Sequence, residues 1–142
     1  MTRTGLPADA LILEITESAF LLSDESLAAT MRAVSAIGVV IALDDFGAGY
    51  TSLSYLSKLP IGALKIDRSF VAAIDQGAEA AAVAHAIIKL GQTLGLEVTA
   101  EGIETAGQLA ELRRRGCSLG QGFFLGGPSA PAQAASKMLV AL

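Results

Sequence analysis

Five segments of the chain each set a charged or amide side chain into an apolar run. They are Glu14 in "LILEIT", Asp44 with Asp45 in "IALDDFG", Lys65 then Asp67 in "ALKID", Glu101 in "VTAEG" and Gln121 in "LGQGF". A carboxylate or ammonium group among apolar residues is expensive unless it is paired or metal-bound. Side chains alternate between the faces of a strand, so Glu14 and Thr16 share a face, as do Lys65 and Asp67, and Thr99 and Glu101. Polar exceptions near the same end of several strands point to one shared site. Carboxylates of this kind are ligands for hard divalent cations, and two such ions about 3.5–4 Å apart clamp the attacking and leaving oxygens of a displacement at phosphorus. Lys65 would balance negative charge there or orient a nucleophilic water.

The pair Asp44–Asp45 poses a geometric problem, because neighbours on a regular strand face opposite ways. If Asp44 is the last strand residue and the chain turns at Phe46–Gly47, both carboxylates can aim at one point. Glycine permits that turn, which would swing Asp45 to the same place. Each residue alone also has an ordinary explanation. Aspartates at strand ends form turns, a lysine at a barrel rim forms ion pairs, and Gln121 could bond to backbone. The coincidence over five strands is what favours a site. His85 in "AAVAHAIIKL" reads as a helix residue, so neither a histidine triad nor a histidine metal ligand is expected.

The elements that must position these groups alternate. Strands are predicted over 10–16, 39–45, 62–67, 96–102 and 118–125. A helix over 24–37 stops at Gly38, a short helical piece "SLSYLSKL" ends at Pro60, and the longest helix, 78–94, ends at Gly95. Thr105 with Gln108 reads as a capping box for a helix running to Gly116, and Pro128 and Pro131 precede a last helix. Such alternation means βαβ units and a parallel sheet, hence the α/β class. If the sheet curls into a barrel, the polar residues meet at its C-terminal mouth, where barrel active sites lie.

Composition bounds the rest. The 142 residues suit one domain, and 52% hydrophobic against 17% charged residues exclude a disordered segment. A net charge of -4, with one basic run (Arg113 to Arg115) at a helix end, gives no footprint for a nucleic acid polymer. Cys117 is the single cysteine, so no intrachain disulfide forms and a reducing cytoplasm fits. No signal peptide is visible and no apolar run approaches the length of a membrane span, so no membrane insertion of this segment is expected.

In order and spacing, "LEITES", "DDFGAGYTSLSYL", "LKIDRSFV", "AEGIET" and "QGFF" resemble the EAL domain family over residues 10–130. The resemblance implies a modified TIM barrel that hydrolyses the bacterial second messenger cyclic di-GMP to linear pGpG with two Mg²⁺ or Mn²⁺ ions. It implies that Glu14 binds the first metal, Asp44 bridges both, and Asp45 serves the second directly or through water. Lys65 would contact the attacking water, and Glu101 would act as general base or bind the second metal. Glu104 and Gln121 would lie in the outer part of the site. Glu17 would anchor the loop after "DDFG", which would resemble the segment coupling dimerisation to metal binding in that family. Ala48 stands where the family usually has Thr, Phe123 replaces a usual Tyr, and Gly127 stands where a basic residue often precedes the Pro.

A complete (β/α)8 barrel has eight strands and about 250 residues. The expectation is therefore a single truncated domain over 1–142, about five βα units of a TIM-like barrel, without the E-A-L segment and an Asn-bearing strand that would supply first-metal ligands. The segments 10–16 and 118–125 would be open edges, so either self-association or the missing N-terminal half is the expected partner. The alternative to an enzyme is a non-catalytic cyclic di-GMP-binding or dimerisation fragment.

Overall fold

In a computed structural model, which describes residues 5–21, 25–47, 56 and 58–130, five strands pair in parallel and in chain order. They are β1 (Ile12–Thr16), β2 (Val40–Phe46), β3 (Ala63–Ile66), β4 (Glu97–Ala100) and β5 (Leu119–Gly120). The described helices are α1 (Glu17–Leu21), α2 (Glu25–Ala36), α3 (Arg68–Ala72), α4 (Ala82–Leu94) and α5 (Ala106–Arg114), with a 3-10 turn at Ala8–Ala10. A doubly wound sheet reverses its strand order at a switch point, whereas this order, β1-β2-β3-β4-β5, runs one way like the wall of a barrel.

Strand alternation divides the sheet into two unlike faces. Leu43, Leu64, Ile66, Val98 and Ala100 are buried in one cluster with Ala84, Ile87 and Ile88 of α4, Val71 of α3 and Leu112 of α5. The other face carries Ala42, Ala63, Lys65 and Thr99 in register. The core therefore sits between sheet and helices, and the inner face is free for polar groups.

Local signals set the helix ends. Gly38 takes a positive φ of 92° after α2, and Gly95 a φ of 69° after α4. The Leu96 N–H then donates to Gly91 O at 2.9 Å, closing a Schellman turn that only a residue at ease in the left-handed region completes without strain. At α5 the Gln108 N–H donates to Thr105 Oγ1 (3.1 Å) and the Thr105 N–H to Gln108 Oε1 (3.0 Å), the expected capping box.

Several elements differ from the sequence reading, among them α1, which follows β1 directly and was not expected. The strand expected over 62–67 stops at Ile66, because Asp67 caps the unforeseen α3 by accepting from the Ser69 N–H at 2.9 Å. The long helix begins at Ala82, after turns over residues 78–81. The strand expected over 118–125 is regular only at Leu119–Gly120; beyond it the chain turns, with the Leu125 and Gly126 N–H groups both donating to Gly122 O. Most of the short helical piece over 52–59 lies outside the described residues, as does any helix after Pro131, although Leu56 is buried in the core. Among the described residues no helix is long and apolar enough to cross a membrane.

β1 pairs only with β2 among the described strands, and Ile12 and Leu13 are 48% and 44% exposed. At the sheet's centre packing is tight. A Cβ on Gly91 of α4 would lie 2.2 Å from Cγ2 of the buried Val98. Gly91→Ala is expected to lower stability by about 1–3 kcal/mol despite alanine's better helix propensity, read as a shifted urea midpoint with an unchanged slope.

Candidate functional site

Lys65 stands in the middle of β3 and is buried, with 8% of its surface exposed. Its Nζ lies 2.7 Å from Glu14 Oε1, 3.1 Å from Asp44 Oδ1 and 2.6 Å from Glu101 Oε1. These partners come from β1, β2 and the residue following β4. Burial alone would lower the Lys65 pKa, but hydrogen bonds to Glu101 and Glu14, together with the neighbouring Asp44 carboxylate, outweigh it and hold the pKa above its usual value. Lys65 is therefore a fixed cation at neutral pH.

The register of β2 explains how two adjacent aspartates reach one place. Leu43 pairs with Leu64 and Phe46 with Ile66, so Asp44 and Asp45 together stand opposite the single residue Lys65. This is a β-bulge, the device by which a strand re-aims a side chain. Asp45 absorbs it with a φ of 55°, the only non-glycine positive φ among the described residues. Aspartate is one of the few non-glycine residues found there with any frequency. The turn supposed at Phe46–Gly47 is thus corrected. The strand runs on through Phe46, and Asp45 itself makes the change of direction.

Asp44, Asp45 and Glu101 bring ligand oxygens within 4.8 Å of one another. The Asp45 pKa is raised by partial desolvation and by the charges of Asp44 and Asp67, against smaller opposing effects of Lys65 and Arg68. Asp44 Oδ1 is buried and has no hydrogen-bond partner among the described residues; although 3.1 Å from Lys65 Nζ, it is not aligned to accept from it. Four carboxylates (Glu14, Asp44, Asp45 and Glu101) thus gather about one ammonium, and one of their buried oxygens is unsatisfied. Mg²⁺ and Mn²⁺ take oxygen ligands of this kind, so the donor set fits a divalent cation at Asp44, Asp45 and Glu101.

The remaining expected residues fall into two groups. Glu17 is buried, 3% exposed, and its Oε2 accepts from the Gly47 N–H at 3.0 Å, tying α1 to the chain just after the bulge. Gln121 Nε2 donates to Glu101 Oε1 at 2.8 Å. Glu104 is not drawn in: it is exposed, its backbone N–H donates to Gln108 Oε1 at 2.7 Å, and no described contact joins its carboxylate to the cluster. Asp67, which shares the Lys65 face in the sequence pattern, serves in the structure as the cap of α3. Burial works against its ionisation, yet hydrogen bonds from Ser69 and the Arg68 charge hold its pKa below the usual range. The Asp-x-Ser spacing was the available signal, since an Asp at a helix start accepts from the N–H two residues on. Outside the cluster, His85 is exposed on α4, and burial pushes the Cys117 thiol up to about 11, which leaves it an inert core residue.

With this geometry in view, the comparisons are specific. The EAL domain model matches residues 1–128. Over 128 residues the chain is 44% identical to the bifunctional diguanylate cyclase/cyclic di-GMP phosphodiesterase MucR of Pseudomonas aeruginosa, covering 90% of this chain and 19% of MucR. It is 42% identical to the cyclic di-GMP phosphodiesterase NbdA of the same organism, covering 90% of this chain and 16% of NbdA. The solved PaMucR phosphodiesterase in complex with c-di-GMP superposes with a TM-score of 0.86 at 44% identity, over 93% of this chain and 53% of that one. A manganese/cy-diGMP complex of Klebsiella pneumoniae BlrP1 superposes with a TM-score of 0.79 at 31% identity, over 86% of this chain and 31% of that one. The chain thus spans under a fifth of these two curated relatives and about half of the solved PaMucR chain.

Replacing the central cation tests the electrostatics without any ligand. In chelator at pH 7, Lys65→Met is expected to lower stability by about 1–3 kcal/mol, because it strands carboxylates that had a charged hydrogen-bond partner. The folded pKa of Lys65 lies above its usual 10.5, so its stabilisation is fully present below that pH and is lost as pH rises through the folded value. The gap in urea midpoint between wild type and Lys65→Met should therefore stay constant from pH 7 to about 10 and narrow above that.

Proposed function

Since the chain belongs to the EAL domain family, we propose that it is the C-terminal part of a metal-dependent phosphodiesterase that hydrolyses cyclic di-GMP to linear pGpG by a two-metal mechanism. The observation that carries the reading is the unsatisfied, buried Oδ1 of Asp44 inside a carboxylate group with Asp45 and Glu101. The names of MucR and NbdA, and the ligands in the PaMucR and BlrP1 structures, supply the substrate.

In this reading Glu14 and Asp44 would hold a first Mg²⁺ or Mn²⁺, and Asp44 and Asp45 would hold a second. When bound, such ions lower the pKa of a water and offset the charge that develops on the phosphodiester. The residues of the chain do the rest. Lys65, protonated at working pH, donates to the attacking water and cannot serve as its base. Glu101 keeps Oε1 on Lys65 and Gln121, so Oε2 is the oxygen left to accept a proton from that water or to bind the second ion. Glu17 fixes the chain after the bulge through Gly47, and Glu104 lies at the periphery, where it would meet substrate rather than metal. A cytoplasmic location suits the free Cys117.

The exposed strand β1 favours a second reading of the chain taken alone. Its outer edge offers Ile12 and Leu13 to a partner, which in this proposal is either a second copy or the preceding βα units of the same domain. Until that edge is covered, the chain would act as a non-catalytic cyclic di-GMP-binding or dimerisation fragment.

The readings separate on incubation with cyclic di-GMP and Mn²⁺. The enzyme forms pGpG, and both variants abolish it: Glu101→Ala by at least the ~10²-fold expected when a proton-transfer group is lost, and Asp44→Asn by removing a cation ligand. Calorimetric binding without pGpG assigns the fragment role instead. Sedimentation as a stable, well-folded monomer at micromolar concentration overturns the self-association.

A further inference from the structure

The Gln121–Glu101 hydrogen bond depends on a close approach of two backbones. Beyond β5, the Gln121 N–H donates to Ala100 O at 2.9 Å, the Ile103 N–H to Gln121 O at 3.1 Å and the Phe124 N–H to Ile103 O at 3.0 Å. Gly122 lies inside this clamp. A Cβ there would stand 2.2 Å from both the nitrogen and the oxygen of Ile103, and 2.7 Å from its carbonyl carbon. These are backbone atoms, held by the hydrogen bonds just named, and cannot move aside as a side-chain tip could. A glycine where another backbone passes this closely is the expected solution.

We infer that Gly122 is a positioning residue for the site: its missing side chain lets residues 121–124 lie on the Ile103 backbone, and this seats the Gln121 amide on Glu101 Oε1. Lys65 and Gln121 then both occupy that oxygen, at 2.6 and 2.8 Å, and Oε2 has no partner among the described residues. The carboxylate is held by one oxygen and offers the other. An added methyl group at 122 would push the segment off Ile103 and release the amide, and Glu101 would then turn about its own side-chain torsions. The inference deepens the proposed reading of Glu101 and rests on it only for what Oε2 receives.

The test measures Mn²⁺ affinity by calorimetry for wild type, Gly122→Ala, Gln121→Ala and the double variant. Gly91→Ala serves as a glycine packed away from the site. Gly122→Ala and Gln121→Ala should each weaken Mn²⁺ binding about 10-fold, the lower end for lost outer-shell support. The double variant should be no weaker than either, because both lose the same contact, and Gly91→Ala should bind as wild type does. Additive losses, or an unchanged affinity in Gly122→Ala, overturn the inference. The native chain supplies an arm that does not depend on the variants folding. In its nitrogen–proton NMR spectrum one Gln121 side-chain amide proton should exchange slowly and move on Glu101→Gln substitution. A freely exchanging amide overturns the positioning role outright. If wild type binds no Mn²⁺, the cation reading of the site fails, and loss or retention of that slow Gln121 amide signal in Gly122→Ala decides the role of Gly122.

Discussion

One ammonium group draws the site together. Lys65 Nζ is the common partner of Glu14, Asp44 and Glu101, which come from three other segments of the sheet. Without it, each carboxylate on the inner face would sit beside others of like charge in a partly desolvated place. With it, the net charge is still negative, so the arrangement is held together yet remains attractive to further cations. That balance distinguishes the cluster from an ordinary buried salt bridge, which is a closed pair. Here the pair stays open on the side of Asp44 Oδ1.

The position of Lys65 follows from the sheet. Parallel strands bury one face against helices, and here Leu64 and Ile66 of β3 lie in the apolar cluster while Lys65 between them must face inward. The same alternation puts Glu14 in register with Ala42, and Lys65 with Thr99. The bulge in β2 then adds what alternation cannot, a second aspartate on the same side. The strain of Asp45 in the left-handed region is tolerated because Phe46 is again buried in the core directly after it and pins the strand from the other face. Backbone strain of this sort persists where packing over-determines it, and it concentrates at functional sites.

Much of this was legible in the residues. The polar exceptions in five apolar runs identified the inner face, because a charge in a strand is costly enough to need a reason. Gly95 and the Thr105–Gln108 pair marked helix ends through local chemistry that needs no tertiary knowledge. What escaped depends on contacts distant in sequence. The bulge exists only relative to β3, so "DDFG" alone could not say whether Asp44 or Phe46 ends the strand. The early end of β5 depends on Ile103, whose backbone crosses Gly122 from another segment. The α3 helix is hidden in the sequence because its apolar residues continue those of β3, and only the cap of Asp67 on Ser69 separates the two.

The ligand set is also unevenly held, and the unevenness follows the sheet. The Asp44 and Glu101 side chains are 20% and 17% exposed, whereas that of Glu14 is 49% exposed although it shares the same ammonium. Asp44 has a strand on either side of its own. Glu101 follows β4, which lies between β3 and β5, and its Oε1 also receives the Gln121 amide. Glu14 stands on β1, which among the described strands is paired on one side only. Its contact with Lys65 must therefore hold a side chain of considerable rotamer freedom at an edge open to water, where an ion pair is worth little. Covering β1 would exclude water from Glu14 and the ammonium together, strengthening a contact that the inner strands already provide for Asp44 and Glu101. The geometry of the carboxylate cluster and its exposed edge are thus coupled through one carboxylate, and whatever pairs with β1 would change the surroundings of Lys65 without needing to touch it.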